Sequence, residues 1–257
     1  IKAKLLRPLA AYGYRKLLNT KSSFVIVENS DDLEYFVKKG MVKRNSISLI
    51  RGAGVDLNKF TFKDDEPSGK IIVMFIARML VDKGVFEFIS AANSINMNGI
   101  IARFILIGSP DHGNPASISA DYLNRHDGKF GVEWWGQRTN IHKILKKAHI
   151  ICLPSYREGL PKTLLEAAAA GLPIVTTDTP GCREVVLDGE NGFLVPIKNH
   201  EILADALLKL IVDKSLRTRM GKVGRMFAEE KFSSNRIEKE TIGIYNQIYK
   251  MDNVSNH

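Results

Sequence analysis

"IICLPSYREGLPKTLLEAAAAGLPIVTTDTPG", residues 150–181, decides the fold. Two short runs rich in β-branched residues, Ile150–Pro154 and Pro173–Thr177, flank a segment whose apolar residues recur at helical spacing. Both runs are apolar at nearly every position, as strands are when a parallel sheet is covered on both faces. Between them Pro161 suits the first helical turn, where a missing N–H costs nothing. Gly171 suits the position just past the last turn. The order is therefore strand, helix, strand, and the loop leaving the first strand carries Glu158.

Working outward, the same grammar repeats. Further strands are predicted at Phe24–Glu28, Ile47–Ile50, Ile71–Ala77, Arg103–Gly108, Val132–Trp135 and Phe193–Val195. Helices are predicted at Val85–Asn96, Pro115–Arg125, Ile141–Ala148, Pro161–Ala170 and Gly181–Leu187. Strand and helix alternate from about residue 71 to 200, which specifies a doubly wound α/β fold with a parallel sheet. After Pro196 come three consecutive helices, His200–Val212, Ser215–Lys231 and Ser233–Tyr249. Residues 1–20 read as a helix interrupted by Pro8 and Gly13, and Asp31–Lys39 as another helix. The polar turn "DDEPSG" (64–69) precedes the first strand of the main domain. The expected division is 1–50 as the tail of another domain, 51–69 as a linker and entry to the next domain, 70–232 as the main domain and 233–257 as a final helix.

The chain has 257 residues, 44% hydrophobic and 25% charged, enough to build a sizeable core. Two cysteines, Cys152 and Cys182, are too few for a disulfide framework and fit a reducing compartment. Six scattered histidines form no H-x-x-x-H pair, so no metal site is expected. A net charge of +9 points to acidic partners: nucleic acid, phosphate-bearing ligands or an anionic membrane. Nucleic acid is set aside, since neither aromatic–basic interleaving nor zinc-finger spacing is present. No apolar run reaches the roughly 18–20 residues that span a bilayer. Arg7 and Pro8 break what would otherwise resemble a signal peptide. The first 27 residues hold six basic residues (Lys2, Lys4, Arg7, Arg15, Lys16, Lys21) and no acid, beside Leu5, Leu6, Leu9, Leu17 and Leu18. Either an interfacial membrane helix or a helix packed on another domain fits that pattern.

In open α/β sheets ligands bind beyond the carboxyl ends of the strands. Strand Ile71–Ala77 leads into "RMLVDKG" (78–84), placing Arg78 at its exit and Lys83 near the next helix. Two cations beside a helix N-terminus suit a pyrophosphate. A plain reading leaves them solvated, with Lys83 neutralised by Asp82. After strand Ile150–Pro154, the free N–H groups of Lys162, Thr163 and Leu164, with the Thr163 hydroxyl, can meet an anion. Glu158, just outside that helix, can accept from sugar hydroxyls, and Glu166 suits the paired hydroxyls of a ribose. Alternatively Glu158 caps the helix and Glu166 is a solvated helix residue. Asn114 and Pro115 read as a helix-starting pair, Glu184 as a structural anchor and Trp134–Trp135 as packing. Arg138, in "GQRTN" (136–140), follows strand Val132–Trp135 and can line a base-binding edge.

"IARMLVDKGVFEFISAA", "HKILKKAHIICLPS" and "YREGLPKTLLEAAAAGLPIVTTDTPGCREVVLDGENGFLVP" together resemble the donor-binding half of retaining GT-B glycosyltransferases of family 4, group 1. The two glutamates eight residues apart, Glu158 and Glu166, are that family's signature. The resemblance covers about residues 47–250. "GNPASIS" and "SYREGLPK" narrow it to bacterial enzymes that extend undecaprenyl-diphosphate-linked glycans for O-antigen, capsule or protein glycosylation. It implies a Rossmann-like doubly wound sheet with a helical C-terminal tail, the C-terminal half of a GT-B fold. It implies a hexosyl or N-acetylhexosaminyl transfer, with N-acetylgalactosamine the expected sugar, from a UDP-sugar to a lipid-diphosphate-linked saccharide. Arg78 and Lys83 would hold the donor diphosphate. Glu158, with the backbone of Gly159 and Leu160, would meet the transferred sugar, and Glu166 the ribose. Thr163 and Leu164 would touch the phosphate or ribose, and Arg138 the base. Arg78, Lys83 and Glu158 would carry the catalysis. Pro161 departs from the family's usual glycine and removes one N–H donor. No cofactor or metal is implied, the UDP-sugar being substrate. The resemblance also implies an absent acceptor-binding part, UDP binding without appreciable transfer by these residues alone, and a cytoplasmic location at the inner face of the bacterial inner membrane. Rival readings are an epimerase or hydrolase acting on the UDP-sugar itself, and a non-catalytic nucleotide-binding module. A dehydrogenase is disfavoured, since no G-x-G-x-x-G follows Ile71–Ala77.

Overall fold

The computed structural model describes residues 2–20, 23–62 and 65–255, with side chains from residue 8 to 249 within those ranges. Lys21, Asp64 and the side chains of Lys2, Lys4, Leu5, Leu6 and Arg7, invoked above, lie outside the described residues. The chain divides into two compact units, Ile1–Gly54 with Ser234–His257, and Val55–Ser233.

In the first unit, α1 (Lys2–Leu18) is followed by β1 (Val25–Val27), α2 (Ser30–Lys38) and β2 (Ile47–Leu49). The α1 helix runs unbroken through Pro8 and Gly13, where the sequence suggests an interruption. Asn29 caps α2, its side chain accepting the Asp32 N–H at 2.8 Å. Strands β1 and β2 pair in parallel, Val25 opposite Ile47. A small core of Val27, Met41, Val42 and Ile47 lies beneath, with Leu33, Phe36 and Val37 against it.

The second unit contains β3 (Ile72–Ile76), α3 (Val85–Met97), β4 (Arg103–Ile107), α4 (Ala120–His126), β5 (Val132–Trp134) and α5 (Ile141–Leu145). It continues with β6 (Ile150–Leu153), α6 (Lys162–Ala169), β7 (Ile174–Thr177), α7 (Pro180–Val185), β8 (Gly192–Val195), α8 (His200–Val212) and α9 (Lys214–Lys231). The last helix, α10 (Ser234–Ser255), belongs to the first unit. Six strands form one parallel sheet in the order β5-β4-β3-β6-β7-β8. This is the doubly wound, Rossmann-like arrangement that the alternation of strand and helix predicts. The chain steps outward from β3 to β5, then returns to the centre and steps the other way from β6 to β8. With right-handed crossovers, those two journeys put their helices on opposite faces. Every residue of β6 and β7 is accordingly buried: β6 is apolar throughout, and the two threonines of β7 place their hydroxyls on the Leu153 and Ser155 carbonyls. Helix α3 packs on α8, and α6 on α9. Phe88 of α3 meets Phe75 and Phe104 of the sheet, centroids 5.5 and 5.7 Å apart, all three fully buried. Burial of each such ring contributes about 1.5–3 kcal/mol.

Residues 55–62 and 65–69 belong to this second unit. The Val55 N–H donates to the Phe232 carbonyl at 2.7 Å, so the unit's first and last residues meet. Arg217 grips the Glu66 carboxylate with two hydrogen bonds, 2.7 and 2.9 Å, and donates to the Leu210 and Ile211 carbonyls at the end of α8.

Helix α4 departs most from expectation, beginning at Ala120 instead of Pro115. Ser119 is its cap, accepting the Tyr122 N–H at 3.2 Å. Asn114 instead accepts the Ala116 N–H, forming a tight turn. Residues 116–118 then run beside Met79–Val81, with the Val81 N–H on the Ala116 carbonyl and the Ile118 N–H on that of Met79. Those backbone bonds hold 116–118 against Met79–Val81 and delay the helix.

Candidate functional site

Strands β3 and β6 lie at the point where strand order reverses, the place where open sheets leave a crevice. They pair through only Val73–Ile150 and Met74–Ile151, so their carboxyl ends part beyond those two rungs. The Ile76 carbonyl at the end of β3 is met there by the Thr163 hydroxyl from the first turn of α6, at 3.0 Å. The start of α6 is thereby fixed over the crevice.

Several side chains converge on this edge. From the β3 side, Lys83 ends a single 3-10 turn (Val81–Lys83) before Gly84 enters α3 with φ +79°. A Cβ on Gly84 would lie 2.1 Å from the Pro154 carbonyl, so this close approach to the end of β6 needs glycine. From the β6 side comes Glu158, whose Oε1 accepts from Lys83 Nζ at 2.7 Å. The pair is shielded, with side-chain exposures of 18% and 10%. Lys83 is thus partnered by Glu158, not Asp82, and Glu158 does not cap α6. Arg78 stands at the exit of β3 as expected, but its guanidinium is 62% exposed and rests on Asp111, 2.6 Å away in the loop after β4. Sequence reasoning missed Asp111, which is separated from Arg78 by 33 residues and becomes its neighbour only because β3 and β4 are adjacent.

The loop carrying Glu158 is held from several directions. Ser155 Oγ and the Tyr156 N–H both donate to the Asp82 carbonyl, at 3.1 and 2.8 Å. Thr177, at the end of β7, donates its hydroxyl to the Ser155 carbonyl. Gly181 at the start of α7 abuts the Glu158 and Gly159 carbonyls; a Cβ there would come within 2.3 Å of the Gly159 oxygen.

Helix α6 differs in detail from expectation. Pro161 has extended backbone angles and is the N-cap, outside the first turn. The Leu164 N–H, expected to be free, donates to the Pro161 carbonyl at 2.9 Å, and the Leu164 side chain is fully buried in the core. The Thr163 hydroxyl is spent on Ile76. The N–H groups of Lys162 and Thr163 precede the first intrahelical acceptor and remain the outward-pointing donors. Gly171 ends the helix as expected, with φ +74°. Its N–H bonds to the Ala168 carbonyl and that of Leu172 to Ala167, a Schellman closure. Glu166 is buried rather than solvated, 9% exposed, and burial raises its pKa above the usual carboxylate value, while Lys162 and Lys59 draw it down.

Leu160 packs partly buried against the core beside this loop. Arg138 follows β5, two strands from β3, exposed and donating only to the neighbouring Gln137 carbonyl at 3.2 Å. It shares the edge but makes no hydrogen bond to Arg78, Lys83, Glu158 or Glu166. Trp134 and Trp135 are anchored through their indole N–H groups, to the Gly108 carbonyl and to Glu133. Among the described residues no group of three His, Cys, Asp or Glu is placed to hold a metal ion. A separate small pocket of about 50 Å³, lined by Phe60, Phe62, His142, His149, Gly171 and Arg217, lies towards the amino ends of β6 and β7. Nucleotide-sized ligands need pockets of about 300 Å³ or more.

The family model described as glycosyl transferases group 1 matches residues 57–227. The chain belongs to this family. Among group 1 relatives, the chain is 31% identical to the Campylobacter jejuni N,N'-diacetylbacillosaminyl-diphospho-undecaprenol alpha-1,3-N-acetylgalactosaminyltransferase, over 97% of the chain and 66% of the relative. It is 27% identical to the Staphylococcus aureus capsular polysaccharide biosynthesis glycosyltransferase CapM, over 88% of the chain and 62% of the relative. The chain thus spans slightly less than two thirds of either protein. Sucrose-phosphate synthase from Thermosynechococcus elongatus superposes with a TM-score of 0.80 at 22% identity, over 93% of the chain and 61% of that protein. Anabaena HepE, solved with UDP, superposes with a TM-score of 0.78 at 19% identity, over 92% and 68%. The fold is that of the GT-B glycosyltransferases.

Proposed function

We propose that the crevice between β3 and β6 binds a UDP-sugar, and that the protein is a retaining glycosyltransferase. It passes a hexosyl or N-acetylhexosaminyl group to a lipid-diphosphate-linked saccharide of bacterial surface polysaccharide. The observation that carries this reading is the shielded Lys83–Glu158 pair beside the start of α6, a cation for phosphate and a carboxylate for hydroxyls held 2.7 Å apart. The relatives' names favour the same chemistry, and N-acetylgalactosamine is the sugar proposed.

In the reaction the bond from the anomeric carbon to the diphosphate oxygen breaks and a bond to the acceptor hydroxyl oxygen forms on the same face. The acceptor's proton passes to the departing phosphate oxygen, and UDP leaves. Negative charge grows on the diphosphate as the bond breaks. Lys83, Arg78 and the first N–H groups of α6 stabilise it more in the transition state than in the ground state. Losing one such donor costs about 2.7–4 kcal/mol by analogy with oxyanion holes. Glu158 accepts from the transferred sugar and Glu166 from the ribose, while Arg138 lies beside the base.

The acceptor is a membrane lipid, and α1 presents a face suited to an anionic membrane surface. Leu9, Tyr12 and Leu17 are exposed along it beside exposed Lys16. No helix among the described residues is long and apolar enough to cross a membrane. We place the protein peripherally, on the cytoplasmic side.

Calorimetric titration with UDP tests the site. UDP binds, and Lys83→Ala weakens it at least tenfold, about 1.4 kcal/mol. Glu158→Ala in the full-length protein abolishes transfer. Unchanged UDP affinity in Lys83→Ala, or sugar consumed equally without acceptor, overturns the assignment.

A further inference from the structure

We propose that Tyr156 and Glu87 form a second tie, one that keeps the Glu158 loop seated on α3 while Lys83 and Glu158 release each other to grip the donor. The proposal rests on the reading of the crevice as a UDP-sugar site and assigns a role to two residues outside it.

The need for such a tie follows from the ion pair. Lys83 and Glu158 bind each other across the gap between the α3 entrance and the β6 loop. A diphosphate on Lys83 and sugar hydroxyls on Glu158 divert both partners, and that link loosens when the loop's position matters most. Backbone contacts hold the loop at its beginning, through Ser155 and the Tyr156 N–H on the Asp82 carbonyl, and Gly181 of α7 packs on its Glu158 and Gly159 carbonyls. The Tyr156 side chain adds a tie to α3. Its hydroxyl donates to Glu87 Oε1 at 2.6 Å, reaching α3 four residues beyond Lys83. Lys198, in the loop after β8, lies over the same ring, 5.0 Å from its centroid, and holds it from another side. The second Glu87 oxygen is buried without a hydrogen-bond partner, so this carboxylate depends on Tyr156. Burial and Glu87 both push the phenol's pKa upward, so it remains a donor. Neither residue touches the diphosphate in this account; both act by placing Glu158, so they are positioning residues.

The tie predicts a split between ligands. UDP alone makes no contact with Glu158, whereas a UDP-sugar does. In Tyr156→Phe, affinity for UDP stays within about twofold of the parent, while affinity for UDP-N-acetylgalactosamine or UDP-glucose, whichever the parent binds, falls about tenfold or more. Glu87→Gln, which keeps the accepting oxygen, retains parental affinity; Glu87→Leu reproduces Tyr156→Phe, and the double variant is no worse than either single one. Hydrogen exchange gives a ligand-free readout, with amides 157–160 exchanging faster in Tyr156→Phe and Glu87→Leu but not in Glu87→Gln. Equal UDP-sugar affinity in Tyr156→Phe and the parent, or equal damage from Glu87→Gln and Glu87→Leu, overturns the tie. Parental protein that binds no UDP defeats the functional reading instead, and unaltered exchange at 157–160 then defeats the tie separately.

Discussion

Glu158 and Glu166 are both acids of one helix-and-loop segment, yet their surroundings differ. Glu158 is answered by a lysine, while Glu166 is buried on α6, with burial favouring its protonated form. Its pKa therefore stands above the ordinary value of 4.5, and on acidification it takes up a proton before an exposed glutamate does. An ionised Glu166 accepts from two ribose hydroxyls; a protonated one accepts less well. Binding of UDP should hold at neutral pH and weaken as pH falls towards and through that raised pKa, starting above 4.5. Calorimetry across pH checks this, and Glu166→Gln should bind more weakly with that acid limb flattened. The sequence locates both glutamates by spacing. The ion pairs at the site were not legible: Lys83 lies 75 residues from Glu158, and Asp111 lies 33 from Arg78. Such pairs are made by sheet order, which no local pattern encodes.

At the level of elements, β6 and β7 were read readily because a strand covered on both faces is a short apolar or β-branched run bounded by proline, glycine or polar residues. The start of α4 was misread because Asn114–Pro115 imitates a cap but forms a tight turn, after which Ala116 and Ile118 bond to the backbone of Val81 and Met79. The interruption expected in α1 is absent, the helix running through Pro8 and Gly13. The close contact between α7 and the Glu158 loop is likewise invisible in one dimension. Gly181 needs no unusual backbone angle; it is small because a carbonyl lies against it. Gly181→Ala should push the loop at Glu158–Gly159 outward, weaken UDP-sugar binding and destabilise the fold by about 1–3 kcal/mol, as overpacking does. Urea unfolding beside ligand titration measures both effects.

For the whole molecule, the two compact units have separate cores. The second begins and ends at neighbouring points, Val55 bonded to Phe232 and bridged to Ser233. Residues 55–233 should therefore fold as an independent domain with one cooperative thermal transition, and should bind UDP with the affinity of the longer chain. Broad, non-cooperative melting would show that the first unit is required. Within that domain the crevice owes its existence to topology: β3 and β6 share two rungs and then separate, whatever residues line the gap. A cleft opened by the course of the backbone survives changes in its rim. Side chains on the rim away from the Lys83–Glu158 pair, such as that of His112, can thus be exchanged, and ligand preference altered, without reopening the question of how the chain folds.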